Sequence, residues 1–350
     1  MTKVLLMPIL LKNKISKTGF VSVLLVLFLL FEATGCRRRS ASEENATIIV
    51  YGFSVAKEPL VTEIFPRFQQ EWLEKTNQHI KFESSFAGSE IVTNQLVMGV
   101  DADVAILSIE RNAERLLRPD VTHSDWRKLP YGGIINRTPI VIVTRAGNPK
   151  RIRDYTDLGR PGVELILCDP TSSGAGNWAL VAIYGSEQVK LEKQTGKRDP
   201  QASVELFRRI VKNIKATPES ARAARALFEH NEGDALVTYE MEALQMKEKG
   251  VPIDIVMPQA TVMCEHPVVI IDHLMSPYRY ALVELFVRSL WERPAQQAWT
   301  HAKFRSVFED LNSNFTPVEM PFKVSDLGGW AKAYEDIVKG AWKQATLASR

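Results

Sequence analysis

The chain has 350 residues, of which 45% are hydrophobic and 24% are charged. This length predicts two domains with cores of ordinary size, and the composition excludes a disordered or low-complexity protein. The formal net charge is +3, but residues 1–35 hold four of the 44 basic residues and one of the 41 acidic residues, which leaves 40 of each. A neutral remainder does not support nucleic-acid binding.

Residues 1–35 predict an export signal. Lysines precede the apolar run Phe20–Phe31, which ends at Glu32 and is followed by small residues and Cys36. A membrane-spanning helix, the alternative, needs about 20 apolar residues, so the run is too short. The cysteine after Ala-Thr-Gly resembles the lipobox of bacterial lipoproteins, which implies that Cys36 carries lipid. Residues 36–45 are then a polar tether.

Two strand–turn–helix units open the remainder of the chain. An apolar strand at 47–51 leads to a turn with Ser54, and a strand at 80–84 leads to Ser89, the expected N-cap of a helix. A third strand follows at 103–107. Alternating strands and helices predict a mainly parallel sheet, whose ligands bind at the carboxyl ends of the strands. Ser54 and Ser89 are therefore candidate ligand-binding residues.

The stretch Asp169–Trp178 is the strongest candidate for a binding turn. It joins an apolar strand at 163–168 to an apolar helix and contains Ser173 and Gly174. Unpaired backbone N–H groups at the helix start, with the positive end of the helix dipole behind them, can hold an oxyanion without a full positive charge. An ordinary N-capped turn is the alternative for this stretch taken alone.

The C-terminal half continues the alternation. Polar residues at 186–203 predict an outward loop, and a helix begins near Ala221 and Arg222. The strand Ala235–Tyr239 runs into a further helix. The remaining apolar patterns predict strands at 253–256 and 267–271, then helices at 277–291, 294–303 and 329–345.

The cysteines and histidines give no sign of a metal site. Cys168 and Cys264 lie in apolar contexts and are interpreted as buried thiols, with one disulfide as the alternative. The six histidines are scattered without the spacing of metal ligands. We therefore expect neither a metal nor another cofactor.

Six short motifs, in this order, resemble the sulfate/thiosulfate-binding proteins of bacterial ABC importers over residues 47–345. They are Ala87-Gly-Ser89 with Asp101-Ala-Asp103, Thr144–Lys150, Asp157–Gly162, Asp169–Gly174, Gly233-Asp234 with Glu240–Ala243, and Gly328–Ala333. The resemblance implies an α/β fold of the type II periplasmic binding proteins, with two lobes that close on the ligand. The implied divisions are lobe one at 46–134 plus 272–330, lobe two at 145–262, hinge crossings at 135–144 and 263–271, and a C-terminal helix at 331–350.

The resemblance also implies the ligand-binding residues. They are Ser54, Ser89, Ser173, Gly174, Ala175, Ala221, Arg222 and Tyr239. Three of them depart from the family pattern, because Ser54 replaces an aspartate, Ala175 a glycine and Tyr239 a tryptophan. Arg222 either pairs with the anion or forms an ion pair at the helix start.

The acceptor groups near these residues decide the kind of anion. Sulfate needs donors only, whereas hydrogen phosphate carries a proton and favours a nearby carboxylate. Glu90 and Glu240 each lie one residue from a candidate donor. Sulfate or thiosulfate is expected, and phosphate becomes credible if either glutamate turns inward. Molybdate and a small organic anion are further alternatives.

The expected function is that of an extracytoplasmic receptor. We expect a lipid-anchored monomer that delivers the oxyanion to an ABC permease and is not an enzyme. An exported enzyme on the same scaffold is the main alternative; porphobilinogen deaminase shares the scaffold and uses a cysteine, so Cys264 is the residue to test. A receptor that reports to a sensor kinase is a third possibility.

Overall fold

A mixed β-sheet organises the part of the chain that the computed structural model describes, residues 46–348. The predicted signal peptide, Cys36 and the tether lie outside the described residues. The ten strands of the described part are β1 Ala46–Phe53, β2 Ile80–Ala87, β3 Val104–Ile106, β4 Ile134–Arg145, β5 Leu165–Leu167, β6 Ile214–Ala216, β7 Ala235–Tyr239, β8 Ile253–Val256, β9 Ala260–Ile270 and β10 Met320–Phe322.

The strands form one hydrogen-bonded path in the order β2-β1-β3-β9-β4-β7-β5-β6. β10 pairs with β9, and β8 pairs with β4, beside this path. The pairs of β1 with β2 and β3, and of β5 with β6 and β7, are parallel. Their carboxyl ends therefore point to common edges of the sheet, where the turns carrying the predicted site residues begin.

Helices cover the sheet. The α-helices of nine or more residues are Phe65–Thr76, Ser89–Val97, Gly174–Thr195, Pro200–Val211, Ala221–Glu229, Glu240–Glu248, Pro277–Ser289 and Arg293–His301. Shorter ones are Lys57–Pro59, Glu110–Leu116, Gly329–Ala333 and Lys343–Leu347, and the last two are joined by a π-helical segment, Tyr334–Trp342. The C-terminal segment thus agrees with the helix predicted at 329–345.

The strands β4 and β9 are the two longest and lie at the centre of the path. They pair antiparallel from Ile134↔Pro267 to Pro139↔Met263. Beyond this shared stretch β9 pairs with β3, and β4 pairs with β7 and β8. The strand groups β1–β3 and β5–β8 are therefore joined through this one pair. Side chains along β4, such as Ile140 and Val143, are fully buried because helices cover both faces of the sheet.

The helical segment after β1 contains a wide turn just before a proline. The chain is helical from Lys57 to Thr76, but Leu60–Ile64 has π-type hydrogen bonding and Pro66 is in the next turn. Proline has no N–H to donate to the preceding turn, and its ring would clash there in a regular helix. The wide turn relieves both problems, as π-bulges inside helices can.

The outward loop predicted for residues 186–203 is wrong. The helix Gly174–Thr195 continues through most of it, and the next helix begins at Pro200. The polar residues include a solvent-facing side of this helix, while Gln188 is buried and donates a hydrogen bond to Ser203 Oγ at 2.6 Å. The polar residues of this segment therefore belong to the solvent-facing side of a helix and to a contact between two helices, not to a loop. Among residues 46–348 no helix is long and apolar enough to cross a membrane.

Candidate functional site

The turn Asp169–Gly174 presents unpaired backbone donors. Asp169 closes it, because its carboxylate accepts bonds from the Thr171 N–H and hydroxyl at 2.8 and 2.7 Å, and its carbonyl accepts from the Ser173 N–H at 2.9 Å. Ser173 is the N-cap of the helix Gly174–Thr195, and its side chain makes no capping bond. The Asn177 N–H bonds to the Ser173 carbonyl at 3.3 Å, so the three N–H groups before it have no acceptor within the helix.

Ser89 lies against this turn from the other strand group. It is 1% exposed, and its hydroxyl accepts a hydrogen bond from the Ser108 N–H at 3.0 Å. The prediction that Ser89 caps its helix is wrong: Gly88 is the N-cap, Ser89 is the first helical residue, and no side-chain cap bond forms. A β-carbon on Gly174 would lie 3.2 Å from Ser89 Cβ and would overlap the Ser108 hydroxyl. Two loops, one from each strand group, therefore meet here with no room for a side chain at position 174.

The other predicted residues start three further helical segments. Ser54 is the first residue of a single 3₁₀ turn after β1, and Ala221 is the first residue of the helix Ala221–Glu229, which contacts that turn. Tyr239 ends β7 and is the N-cap of the next helix. Ala175, in the first turn of its helix, is 5% exposed. The eight candidates therefore all lie at or next to the starts of helical segments.

Arg222 is held in an ion-pair cluster. Its Nη2 lies 3.3 Å from Glu242 Oε1 and 3.7 Å from Glu58 Oε2, and Glu242 also pairs with Arg225 at 3.2 Å. Burial raises the pKa of Glu242, while the two arginines act in the opposite direction. This geometry matches the ion-pair alternative for Arg222. Because Glu58 lies in the first helical turn after β1, the cluster also ties the two strand groups together.

The two glutamates that bear on the choice of anion form ion pairs with arginines. Glu90 accepts from Arg111 at 3.0 Å and from Arg115 at 2.7 Å. Glu240 makes a bidentate pair with Arg305, with both distances 2.8 Å. Burial raises the pKa of Glu240, against the lowering effect of Arg305. Both carboxylates are therefore engaged as acceptors for protein groups.

Three side chains of the site were missed in the sequence. Ser108, two residues beyond β3, is buried beside Ser89 and Gly174. The Trp178 indole N–H donates to the Ser108 carbonyl at 2.5 Å. The ring of His266 packs against Phe53 with centroids 4.6 Å apart. Ser108 could have been found, because it follows a strand at the same sheet edge as Ser54 and Ser89; His266 could not, because its place depends on strand pairing.

The His266 imidazole is neutral and buried. Its Nδ1–H donates to Asn136 Oδ1 at 2.5 Å, and its ring lies edge-on to Tyr239 at 5.5 Å between centroids. Burial lowers the pKa of His266 from 6.5 to about 3. The ring that contacts both Phe53 and Tyr239 is therefore uncharged at neutral pH.

Cys168 and Cys264 are free, buried thiols, which confirms the interpretation of the sequence. Burial raises the pKa of Cys168 to about 12 and that of Cys264 well above its ordinary value. The reactive form of cysteine is the thiolate, so a protonated and inaccessible Cys264 is a poor nucleophile. Among the described residues no group of three or more histidine, cysteine or acidic side chains could hold a metal ion.

Comparison with known proteins assigns the chain to a family. The family model "Bacterial extracellular solute-binding protein" matches residues 50–305. The chain belongs to this family. The predicted class of function, an extracytoplasmic solute-binding protein, is thereby confirmed.

Individual members of the family give a finer comparison. The sulfate-binding protein of Synechococcus elongatus is 30% identical over 311 residues, which are 87% of this chain and 86% of that protein. The thiosulfate-binding protein of Pseudomonas aeruginosa is 27% identical over 274 residues, 73% of this chain and 81% of that protein. The predicted relationship to sulfate/thiosulfate-binding proteins is confirmed.

Solved structures of extracellular solute-binding proteins share the fold. The sulfate-binding protein SubI from Mycobacterium tuberculosis has a TM-score of 0.74 at 28% identity and covers 83% of this chain and 99% of its own. The periplasmic binding protein AfuA from Actinobacillus pleuropneumoniae has a TM-score of 0.59 at 15% identity, with 88% and 98% covered. The predicted α/β fold of the type II periplasmic binding proteins is confirmed.

The buried imidazole predicts a specific pH dependence of stability. A histidine with a pKa of about 3 in the folded state and 6.5 unfolded favours unfolding when it is protonated. Its contribution is complete above pH 6.5 and is lost as the pH falls toward 3, at up to about 1.4 kcal/mol per pH unit. His266→Gln should flatten the fall in the free energy of unfolding between pH 6.5 and 4, measured by urea denaturation. The exposed control His79→Gln should keep the wild-type slope, and an equal slope in all three proteins would contradict the assignment.

Proposed function

We propose that this protein is a receptor for sulfate or thiosulfate that delivers the anion to an ABC permease. The observation that carries the proposal is the meeting of Ser89 with the donor turn at Ser173 and Gly174. Three amides without a helical acceptor lie at the positive end of a 22-residue helix. Such a terminus is a ready site for a tetrahedral oxyanion.

The ligand-binding set in this proposal is the one expected from the sequence. It comprises Ser54, Ser89, Ser173, Gly174, Ala175, Ala221 and Tyr239 as donors. Arg222 is assigned a supporting role, because its guanidinium pairs with Glu242 and Glu58. Ala175 retains its N–H, and the hydroxyl of Tyr239 can replace an indole donor.

The engagement of the carboxylates favours a fully ionised anion. Glu90 and Glu240 are both bound by arginines, so neither is free to accept the proton of hydrogen phosphate. The relatives named above are described as sulfate- and thiosulfate-binding proteins. Phosphate and molybdate are therefore the less favoured ligands. An enzyme that uses Cys264 is disfavoured by the burial of that thiol.

The proposed mechanism is closure of two lobes on the anion. Lobe one would comprise 46–134 plus 272–330 and lobe two 145–262, with β4 and β9 as the crossings. Ser54 and Ser89 would bind from lobe one, and Ser173, Gly174 and Tyr239 from lobe two. An anion that bridges donors of both lobes binds the closed form better, and this difference in affinity shifts the equilibrium toward closure.

The membrane location is part of the proposal. Membership of an extracellular family agrees with export, and Cys36 after Ala-Thr-Gly is the proposed site of lipidation. The receptor would act as a monomer, tethered by residues 36–45 close to its permease.

The test of the ligand is calorimetry on the exported protein carrying Cys36→Ser, which releases it from any lipid anchor. We expect tight binding of sulfate or thiosulfate and no binding of phosphate. The affinity for sulfate should change little between pH 6 and 8, because sulfate does not titrate there. Tight binding of phosphate or molybdate without measurable binding of sulfate would overturn the ligand assignment. No measurable binding of any of these anions would overturn the proposal of an oxyanion receptor.

Ser173→Phe tests the position of the site. The ring would fill the space in front of the donor turn and remove hydrogen bonds to a charged ligand, each worth about 1.5–3 kcal/mol, so sulfate affinity should fall at least about 100-fold. Thr171→Phe adds the same bulk at an exposed position of the same turn. It loses the hydroxyl bond to Asp169 but keeps the backbone N–H bond that closes the turn, so it should bind nearly as wild type. Circular dichroism checks that both variants fold. Wild-type affinity in folded Ser173→Phe would show that the site is misplaced.

Cys36→Ser tests the anchor. In cells fed a palmitate analogue, the wild-type protein should take up label and sediment with membranes, because acyl chains partition into the bilayer. The variant should lose the label and appear in the soluble extracytoplasmic fraction. Cys168→Ser, which changes a buried thiol, should keep the label. Label on the Cys36 variant would contradict lipidation at this residue.

A further inference from the structure

The hydroxyl of Ser108 is buried without a hydrogen-bond partner. The residue is 1% exposed, and its backbone is fully used: its N–H donates to Ser89 Oγ at 3.0 Å and its carbonyl accepts from the Trp178 indole at 2.5 Å. The side-chain oxygen makes no hydrogen bond. A buried polar group in this condition costs about 1–3 kcal/mol. Its backbone is therefore held firmly while its hydroxyl remains free to turn.

The position of this hydroxyl is at the centre of the proposed site. It lies so close to Gly174 that a β-carbon there would overlap it, and the same β-carbon would lie 3.2 Å from Ser89 Cβ. Gly174 supplies one of the amides without a helical acceptor. The hydroxyl is therefore next to both loops that are proposed to bind the anion.

A second buried hydroxyl without a partner lies beside it. Tyr239 is 1% exposed, and its phenol oxygen makes no hydrogen bond in the described structure. The Tyr239 ring lies edge-on to His266, with 5.5 Å between centroids, and Leu107, the residue before Ser108, donates its N–H to the Pro267 carbonyl at 2.9 Å, so both hydroxyls lie beside the same point of β9. Burial raises the pKa of Tyr239 well above its ordinary value, and its interaction with the Ser108 side chain acts in the opposite direction. The contact between the two hydroxyls is not a well-formed hydrogen bond, so each keeps a donor for another acceptor. Two uncharged donors remain available in one small, buried region.

We propose that Ser108 is a further ligand-contacting residue, and that its hydroxyl and that of Tyr239 donate to the same bound oxyanion. This inference rests on the proposed function. An anion such as sulfate offers lone pairs on four oxygens and no proton, so both hydroxyls can turn their hydrogens toward it. Binding would then satisfy two polar groups that the protein alone leaves unpaired. Their satisfaction adds to the affinity, because the ligand-free state bears the cost of the unpaired groups.

The alternative is that Ser108 only fills space between the loops. The two roles predict different effects of removing the hydroxyl. If the side chain is filler, Ser108→Ala leaves affinity unchanged. If it binds the anion, Ser108→Ala lowers affinity, while the ligand-free protein keeps or gains stability because an unpaired buried group is gone.

The experiment measures sulfate binding by calorimetry and melting temperature with and without sulfate, in the exported protein carrying Cys36→Ser. Ser108→Ala should raise the Kd about 10- to 100-fold, the loss of one hydrogen bond to a charged group. Its ligand-free melting temperature should equal or exceed that of wild type, and its stabilisation by sulfate should be smaller. Ser108→Cys keeps the approximate size but replaces the hydroxyl with a weak donor, and should also weaken binding.

Ser186→Ala is the matched control. Ser186 is 1% exposed, and its hydroxyl is also without a partner, but it lies twelve residues along the helix from Gly174, about 18 Å away. Its Kd should equal that of wild type. Wild-type affinity in both Ser108 variants would overturn the inference and leave the proposed function standing. The same conclusion would follow if the ligand-free melting temperature of Ser108→Ala fell while its stabilisation by sulfate stayed unchanged. If the wild-type protein binds no oxyanion, both proposals fail.

Discussion

The antiparallel pairing of β4 with β9 is the constraint on which the site depends. Each strand continues past the shared stretch into a different strand group, β9 beside β3 and β4 beside β7. The loops after β1, β2 and β3 are therefore positioned relative to those after β5 and β7 through this one pair. Its middle is buried, so every backbone group in it must find a partner, and the pairing register leaves little freedom. The binding of a ligand that contacts both sets of loops would therefore depend on the geometry of the β4–β9 pair.

Ion pairs bind the carboxylates that lie near the proposed site. Glu90, Glu240 and Glu242 are all buried near the donor loops, and each is bound by one or two arginines. A free carboxylate in this region would repel a divalent anion, and an unpaired one would be costly to bury. The arginines neutralise these carboxylates, and in the proposed site the anion is left to neutral donors. The positive charges therefore pair with the glutamates rather than with the proposed anion.

Local patterns in the chain predicted the donor turn, the class of fold and the burial of both cysteines. They failed where an interaction is made by residues distant in sequence. Ser89 looked like a helix cap, but the backbone of Ser108, 19 residues away, donates to its hydroxyl. Residues 186–203 were predicted to form a loop because they are polar, but in the fold Gln188 is buried and donates to Ser203 on the neighbouring helix. His266 was missed because an isolated histidine has no distinctive spacing, whereas Ser108 follows a strand at the same sheet edge as Ser54 and Ser89 and could have been predicted.

The sequence by itself determined which turns expose backbone donors, since a buried strand that breaks into small residues before a helix must leave the first N–H groups unpaired. It also determined the family, through the order of short motifs. Only the tertiary structure decided which acceptors are free and which are bound. Whether Glu90 faces a ligand or Arg111, and whether Arg222 faces an anion or Glu242, depends on partners brought together by folding. Side-chain charge is a local property, but its pairing depends on distances of a few ångströms that pattern and spacing do not encode.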